Sequence, residues 1–354
     1  MNKARAESRA KDLLPDPPIH IADCTARSLR ELANLYAQPD TRRAIVQILN
    51  TGLPFLLLMG AMFYALDHDF WPAMLLALPS GALLVRLFAI QHDCGHGSFF
   101  KSRRANDVLG WLLGVVTLTP YGAWRRNHAL HHATSGNLDR RGIGDVDTLT
   151  LREYQARSAW RRLAYRLYRH PLVLLGIGPA YLFLLRHRMP VGAFHDRRIW
   201  MSAFGTNLAI AAVIATLVLT IGVEPLLAGY LPAMLLAASV GVWLFYVQHQ
   251  FEDTYWETGK RWDFQEAAMA GCSFYDLPAA LQWITGHLGL HHIHHLCSRI
   301  PNYRLRDCFR HNPEFWSAKR LTLWSSLRCA RLALWDEEKR TLVSFRAARK
   351  DSTR

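Results

Sequence analysis

The chain has 354 residues, 51% of them hydrophobic, with 12 tryptophans and a formal net charge of +14. That length suits two soluble domains, but the apolar residues are gathered into long blocks, which argues against an ordinary water-soluble protein. Its basic residues carry no nucleic-acid-binding motif, so the charge points to an anionic membrane surface or an acidic protein rather than to DNA or RNA.

In chain order, residues 1–43 form a charged, proline-dotted arm with no apolar stretch of the kind a cleaved signal peptide needs. Two apolar runs follow, at 44–66 and 71–90, and two more lie at 201–222 and 225–248; only the second holds a charge, Arg86. Each matches the roughly 20 residues that cross a bilayer as a helix. Buried helices of a soluble core are the plain alternative, but such a core rarely needs four nearly uncharged segments of this length. The runs at 108–120 and 172–185 are too short to span. Between them, Arg161, Arg162, Arg166 and Arg169 alternate with Trp160, Tyr165 and Tyr168, a pattern for helices lying on a leaflet or for docking an acidic electron carrier.

The basic residues set an expected topology. Of 42 Lys and Arg, 8 fall in 1–43, 17 in 91–200 and 16 in 249–354, while the connectors 67–70 and 223–224 have none. By the positive-inside rule both termini and the central loop face the cytoplasm. The expected fold is an all-α integral membrane protein: four transmembrane helices in two hairpins, under a cytosolic helical cap built from 91–200 and 249–303. A basic cytosolic tail, 304–354, completes the chain. The six cysteines, Cys24, Cys94, Cys272, Cys297, Cys308 and Cys329, show no paired spacing and are expected as free thiols.

Seventeen histidines are present, and many are clustered. His92 and His96 (HDCGH) follow the second run; His128, His131 and His132 (HALHH) lie further along the loop; His249 ends the fourth run; His291, His292, His294 and His295 (HHIHH) come after it. Positions i, i+3 and i+4 share one helix face, so each box aims two or three imidazoles at one point, all on one side of the membrane. His292 points roughly 100° away from its neighbours and is set aside; His287, one turn before His291, is a ligand or a supporting group. The scattered His20, His68, His170, His187, His195 and His311 read as satisfied or surface side chains. Nine candidate ligands remain: His92, His96, His128, His131, His132, His249, His291, His294 and His295. One metal cannot use nine, and zinc wants three or four. Two irons with positions open for O2 fit the count. Asp93, Asp145, Asp147, Glu252 and Asp253 are near enough in sequence to orient the imidazoles.

The three boxes together resemble those of the membrane fatty acid desaturases. The stretches His131–Thr150, beginning HHATSGNLDRRG, Trp243–Asp253 (WLFYVQHQFED) and His294–Tyr303 (HHLCSRIPNY) are similar to bacterial acyl-lipid desaturases, and the likeness runs over about 44–303. It implies a membrane desaturase domain at 44–303, a cytosolic di-iron cap and a buried acyl tunnel, in a bacterial inner membrane. It also implies O2 as co-substrate and two electrons from ferredoxin, flavodoxin or a cytochrome. Its ligands map onto the same nine histidines. Two features depart from the pattern: His287 stands where related bacterial enzymes have Asn, and the short His-x3-His first box favours a complex-lipid substrate over acyl-CoA. An acyl methylene has neither an acidic proton nor a leaving group, so acid–base residues alone cannot desaturate it, whereas a metal that activates O2 can. A membrane lipid or carotenoid hydroxylase or ketolase is the alternative, because it shares the first hydrogen abstraction. A metal transporter would want its ionisable groups within the spans, and a silent lipid receptor would hold no metal.

Overall fold

The computed structural model describes residues 28–142 and 144–351; the remainder of the expected N-terminal arm, with Cys24 and His20, lies outside the described residues. The chain is mostly helical. Among the described residues, four unbroken or nearly straight helical segments are long and apolar enough to cross a membrane: Thr41–Asp67, Trp71–His96, Arg197–Ile221 and Leu226–His249. They match the four runs read from sequence but reach further at their polar ends, so that His92 and His96 sit on the second segment and His249 on the fourth.

We label the elements that position the site. Helix α1 (Thr41–Asp67) starts at Asp40, whose side chain accepts the Arg43 N–H at 3.1 Å. Helix α2 (Ala77–His96) stops at Gly97, which adopts φ 67°, the left-handed conformation that glycine reaches without strain. Helices α3 (Arg103–Val116) and α4 (Tyr121–Thr134) follow. Beyond α5 (Ala159–Tyr168) come the long α6 (Arg197–Ile221) and α7 (Leu231–His249). The short α8 (His291–Leu296) and α9 (Asn302–His311) lie near the end.

Helix α2 is central: it packs on α1, α3 and α7. At Gly81 the approach to α7 is so close that a Cβ would stand 2.9 Å from the Ala233 carbonyl oxygen, which only glycine permits. Phe55, Met59, Met62, Leu84, Ile90 and Met234 fill this core. By contrast α6 turns most of itself outward, with only 11% of its most apolar stretch buried; Leu208 and Leu219 are 73% and 86% exposed. Apolar side chains displayed in this way suit a lipid exterior, not water.

Two small sheets depart from the all-α expectation. In one, β1 (Leu149–Thr150) runs parallel to β4 (Leu332–Asp336), which pairs antiparallel with β5 (Thr341–Ser344). In the other, β2 (Phe274–Asp276) runs parallel to β3 (Arg320–Thr322). Strands of two to five residues carry too little alternation to be read from sequence. They also tie the segment after residue 303 into the body of the fold. Leu305, Phe315, Leu334 and Trp335 are buried, so this segment packs as core rather than standing apart as a tail. Cys94, Cys272, Cys297, Cys308 and Cys329 are free, as expected, and all five are buried.

Candidate metal centre

The histidine boxes converge at one end of the long helices. His92 and His96 occupy the last turns of α2, His128, His131 and His132 the second half of α4, His249 the final residue of α7, and His291, His294 and His295 all of α8. Two links hold the frames together. Tyr121 donates its hydroxyl to the Cys94 carbonyl at 2.7 Å, joining α4 to α2. The Asn302 N–H donates to Asp93 Oδ2 at 2.6 Å, tying α2 to the start of α9.

The nine nitrogen donors form two groups. His92, His96, His128, His132 and His294 make one, His131, His249, His291 and His295 the other, with the ligand atoms of each group within 4.8 Å of one another. All nine residues read from sequence are present, and among the described residues no other side chain joins either group. The partition corrects one expectation. A box does not aim at a single point: the adjacent pairs His131–His132 and His294–His295 split, one member to each group. Neighbours on a helix diverge by about 100°, so a paired His-His is a device for serving two centres.

Within the first group, Nε2 of His128 lies 3.0 Å from Nε2 of His96 and 3.1 Å from that of His132, which is 3.1 Å from His294 Nε2. In the second, His249 Nε2 is 3.2 Å from His131 Nε2 and 2.9 Å from His291 Nε2. These separations are compatible with a metal ion held among the nitrogens. A neutral imidazole nitrogen carries either one lone pair or one proton, so His128 Nε2 cannot satisfy two such neighbours at once. A metal–nitrogen length of about 2.1 Å gives adjacent octahedral ligands a separation of about 3.0 Å, against about 3.4 Å for a tetrahedron. The observed separations match the octahedral edge, so the five and the four imidazoles would each suit one ion of that preference. The buried Nε2 of His295 has no hydrogen-bond partner among the described residues, as a nitrogen reserved for a cation would.

Burial pushes the imidazoles of His128, His132, His291, His294 and His295 well below 6.5, and neighbouring imidazoles add to the shift. At neutral pH they are uncharged, the form that ligates a metal. Supporting groups fix several tautomers. His131 Nδ1 bonds Asp145 Oδ1, His92 Nδ1 lies 3.3 Å from Asp93 Oδ1, and His249 Nδ1 lies 3.5 Å from Ser135 Oγ and 3.7 Å from Cys272 Sγ. Of the five carboxylates read from sequence, Asp93 and Asp145 therefore touch ligands. Asp253 instead pairs with Lys319, and Asp147 and Glu252 engage their neighbours through backbone groups.

His287 does not join either group. It sits at φ 56°, and burial, reinforced by Arg306 and Arg86, pushes its imidazole down to about 4. His292 points at Phe274 and Phe309, as its angular position requires. Sequence reasoning missed Trp124, which stacks on His128 with ring centroids 4.6 Å apart and meets Phe88 edge-on at 5.4 Å. With Phe183 against Phe88, it makes an apolar wall beside the five-histidine group. The cue was available: Trp124 lies one turn before His128.

The model of the family described as fatty acid desaturase matches residues 69–327. A "Fatty acid desaturase" of Bacillus subtilis (strain 168) is 44% identical over 322 residues, covering 91% of each chain. The "sn-1 acyl-lipid omega-3 desaturase (ferredoxin)" of Synechocystis is 31% identical over 300 residues, 79% of this chain and 78% of its own. The chloroplastic "sn-2 acyl-lipid omega-3 desaturase (ferredoxin)" of Arabidopsis thaliana is 28% identical over 308 residues.

Proposed function

Because the chain belongs to the fatty acid desaturase family, a membrane oxidoreductase family, we propose that it desaturates acyl chains esterified in membrane lipids, using two irons held by the nine histidines. The observation that carries the reading is the division of those histidines into groups of five and four with octahedral edges. Bound there, an iron pair would supply O2 activation and removal of two hydrogens from adjacent methylenes.

The chain's own residues do the positioning. His92, His96, His128, His132 and His294 would hold one iron, and His131, His249, His291 and His295 the other. Asp145 keeps the His131 proton on Nδ1, leaving Nε2 for the metal. Trp124, Phe88 and Phe183 offer an apolar surface to an acyl chain and exclude water from its path. Relatives named for acyl-lipid substrates and for ferredoxin support both a lipid substrate and an electron donor of the ferredoxin, flavodoxin or cytochrome type. In this reading the four long helices form two hairpins in a bacterial inner membrane, with the histidine end, both termini and a cap built from 91–200 and 249–303 on the cytoplasmic side. The membrane domain is 44–303, preceded by the arm 1–43 and followed by the segment 304–354.

The test has two parts. Metal analysis of purified protein is expected to find about two irons per chain, and stoichiometric zinc or no metal would sink the reading. Expression in a host without polyunsaturated lipids, followed by gas chromatography–mass spectrometry, is expected to show a new double bond. Hydroxylated product as the main species would favour the hydroxylase alternative. Double bonds appearing first in acyl-CoA would remove the acyl-lipid part.

A further inference from the structure

Arg197 and Arg198 open α6, His195 lies just before them, and Arg126 reaches the same place from α4. With Gly192 and Asp196 they line an open cavity of about 580 Å³, within the roughly 300–1,000 Å³ typical of small-molecule sites. Asp196 offsets one of the three positive charges while its Oδ1 accepts the Arg198 and Ile199 N–H groups at 2.9 and 3.4 Å, so the lining stays net cationic. The helix end is therefore already capped, and the cavity's positive character comes from side chains. Arg126 makes only long contacts, 3.4 Å each, to Asn127 Oδ1 and the Gly192 carbonyl. Its neighbour Arg125 is spoken for by Asp107 at 2.6 Å. Among the described residues no carboxylate pairs with Arg126, Arg197 or Arg198.

Directly beside this cationic rim the surface turns apolar. Phe194, Met201 and Phe204 are exposed, Trp200 stacks on Phe204 at 5.0 Å, and its indole N–H donates to the Phe194 carbonyl at 2.7 Å. A ring of cations over an aromatic collar, at the start of a helix able to span a bilayer, matches the order of groups in a phospholipid.

We propose that this cavity binds the phosphate of a phospholipid headgroup. The assignment deepens the acyl-lipid reading and takes its catalytic meaning from it. Guanidinium forks grip phosphate oxygens two at a time, and three arginines lining one cavity supply such forks. Arg126 and His128 are two residues apart on α4, so their side chains leave the helix about 160° apart. The headgroup is thus held on the face of α4 opposite the histidines, while an acyl chain turns round the helix to the wall of Trp124, Phe88 and Phe183 beside the metal site.

The test measures binding, not turnover. Full-length protein in mild detergent is titrated with fluorescent phosphatidylglycerol, then challenged with dihexanoyl-phosphatidylglycerol, dihexanoylglycerol or inorganic phosphate. The R126Q/R197Q variant is expected to bind the probe about tenfold or more weakly, and R126K/R197K to recover part of the loss. R103Q, outside the cavity, is expected to match the parent, and unchanged metal content and gel-filtration behaviour exclude misfolding. Dihexanoyl-phosphatidylglycerol should displace the probe and dihexanoylglycerol should not. Equal affinity in R126Q/R197Q and the parent overturns the site. Displacement by dihexanoylglycerol as strong as by its phosphatidyl counterpart overturns phosphate recognition, and equally strong displacement by inorganic phosphate overturns the lipid assignment. If double bonds prove confined to acyl-CoA, the acyl-lipid reading fails while the binding ratio still decides the site.

Discussion

Asp145 contacts one of the nine histidines and, in the di-iron reading, would set how that ligand meets its metal. His131 is buried, and its Nδ1 is bonded to the Asp145 carboxylate, which fixes both ring angle and tautomer. Removing such a partner typically lowers metal affinity or activity 10–100-fold. Asp145→Asn is therefore expected to leave expression intact and to lower iron affinity by about that factor, chiefly in the four-histidine group; metal analysis after graded chelation checks it. Retention of iron as strong as in the parent would mean that the contact is incidental. The candidate site itself was legible in the sequence because its spacing is local: three boxes at helical intervals name eight residues, and His249 at the end of the fourth apolar run adds the ninth, without any knowledge of the fold. What was not legible was tertiary. That Asp145 rather than Asp147 or Asp253 meets a ligand depends on how the loop after α4 returns, which no short-range pattern encodes.

Elements carry the next layer. Gly95 lies between the two ligands of α2, and a Cβ there would stand 2.7 Å from Cζ3 of Trp124, the ring stacked on His128. Gly95→Ala is expected to displace Trp124 and, through it, His128, reducing bound iron and turnover several-fold while α2 gains helix propensity. Unaltered iron content and activity would show that the indole is free to move. Arg169 performs a different task just beyond α5. Its buried guanidinium donates to the Asp147 and Leu332 carbonyls, Gln250 Oε1, Tyr246 Oη and Thr148 Oγ1, all at 2.9–3.3 Å, joining α7, β4 and the approach to β1. Arg169→Met would strand these acceptors in a dry interior, at about 1–3 kcal/mol each for those that find no water, so a fall in melting temperature is expected. Lysine should not rescue it, since one ammonium cannot reach acceptors on three segments. An unchanged melting curve would argue against the hub. The long helices could be read from hydropathy because each covers many turns. The sheets and Arg169's role could not, since β1, β4 and α7 meet only through long-range packing.

At the scale of the whole molecule, charge and hydropathy divide the chain in the same way. The apolar exteriors of α1 and α6 leave no room for a soluble partner, while the cationic residues concentrate in 91–200 and 249–354, the segments that also supply the histidines beyond the long helices. In the proposed reading an electron donor has to come close to the histidine groups, and would approach across this basic surface. An acidic donor would be steered there by long-range attraction. Exposed charges are screened over about 8 Å at physiological ionic strength, so turnover with ferredoxin or flavodoxin is expected to fall steeply as salt rises, mainly through the apparent affinity for the donor. The measurement separates the two uses of the charge. In detergent without anionic lipid, a salt-dependent donor affinity assigns the basic residues to protein docking. A salt-independent one, with vesicle binding still salt-sensitive, would assign them to the membrane alone.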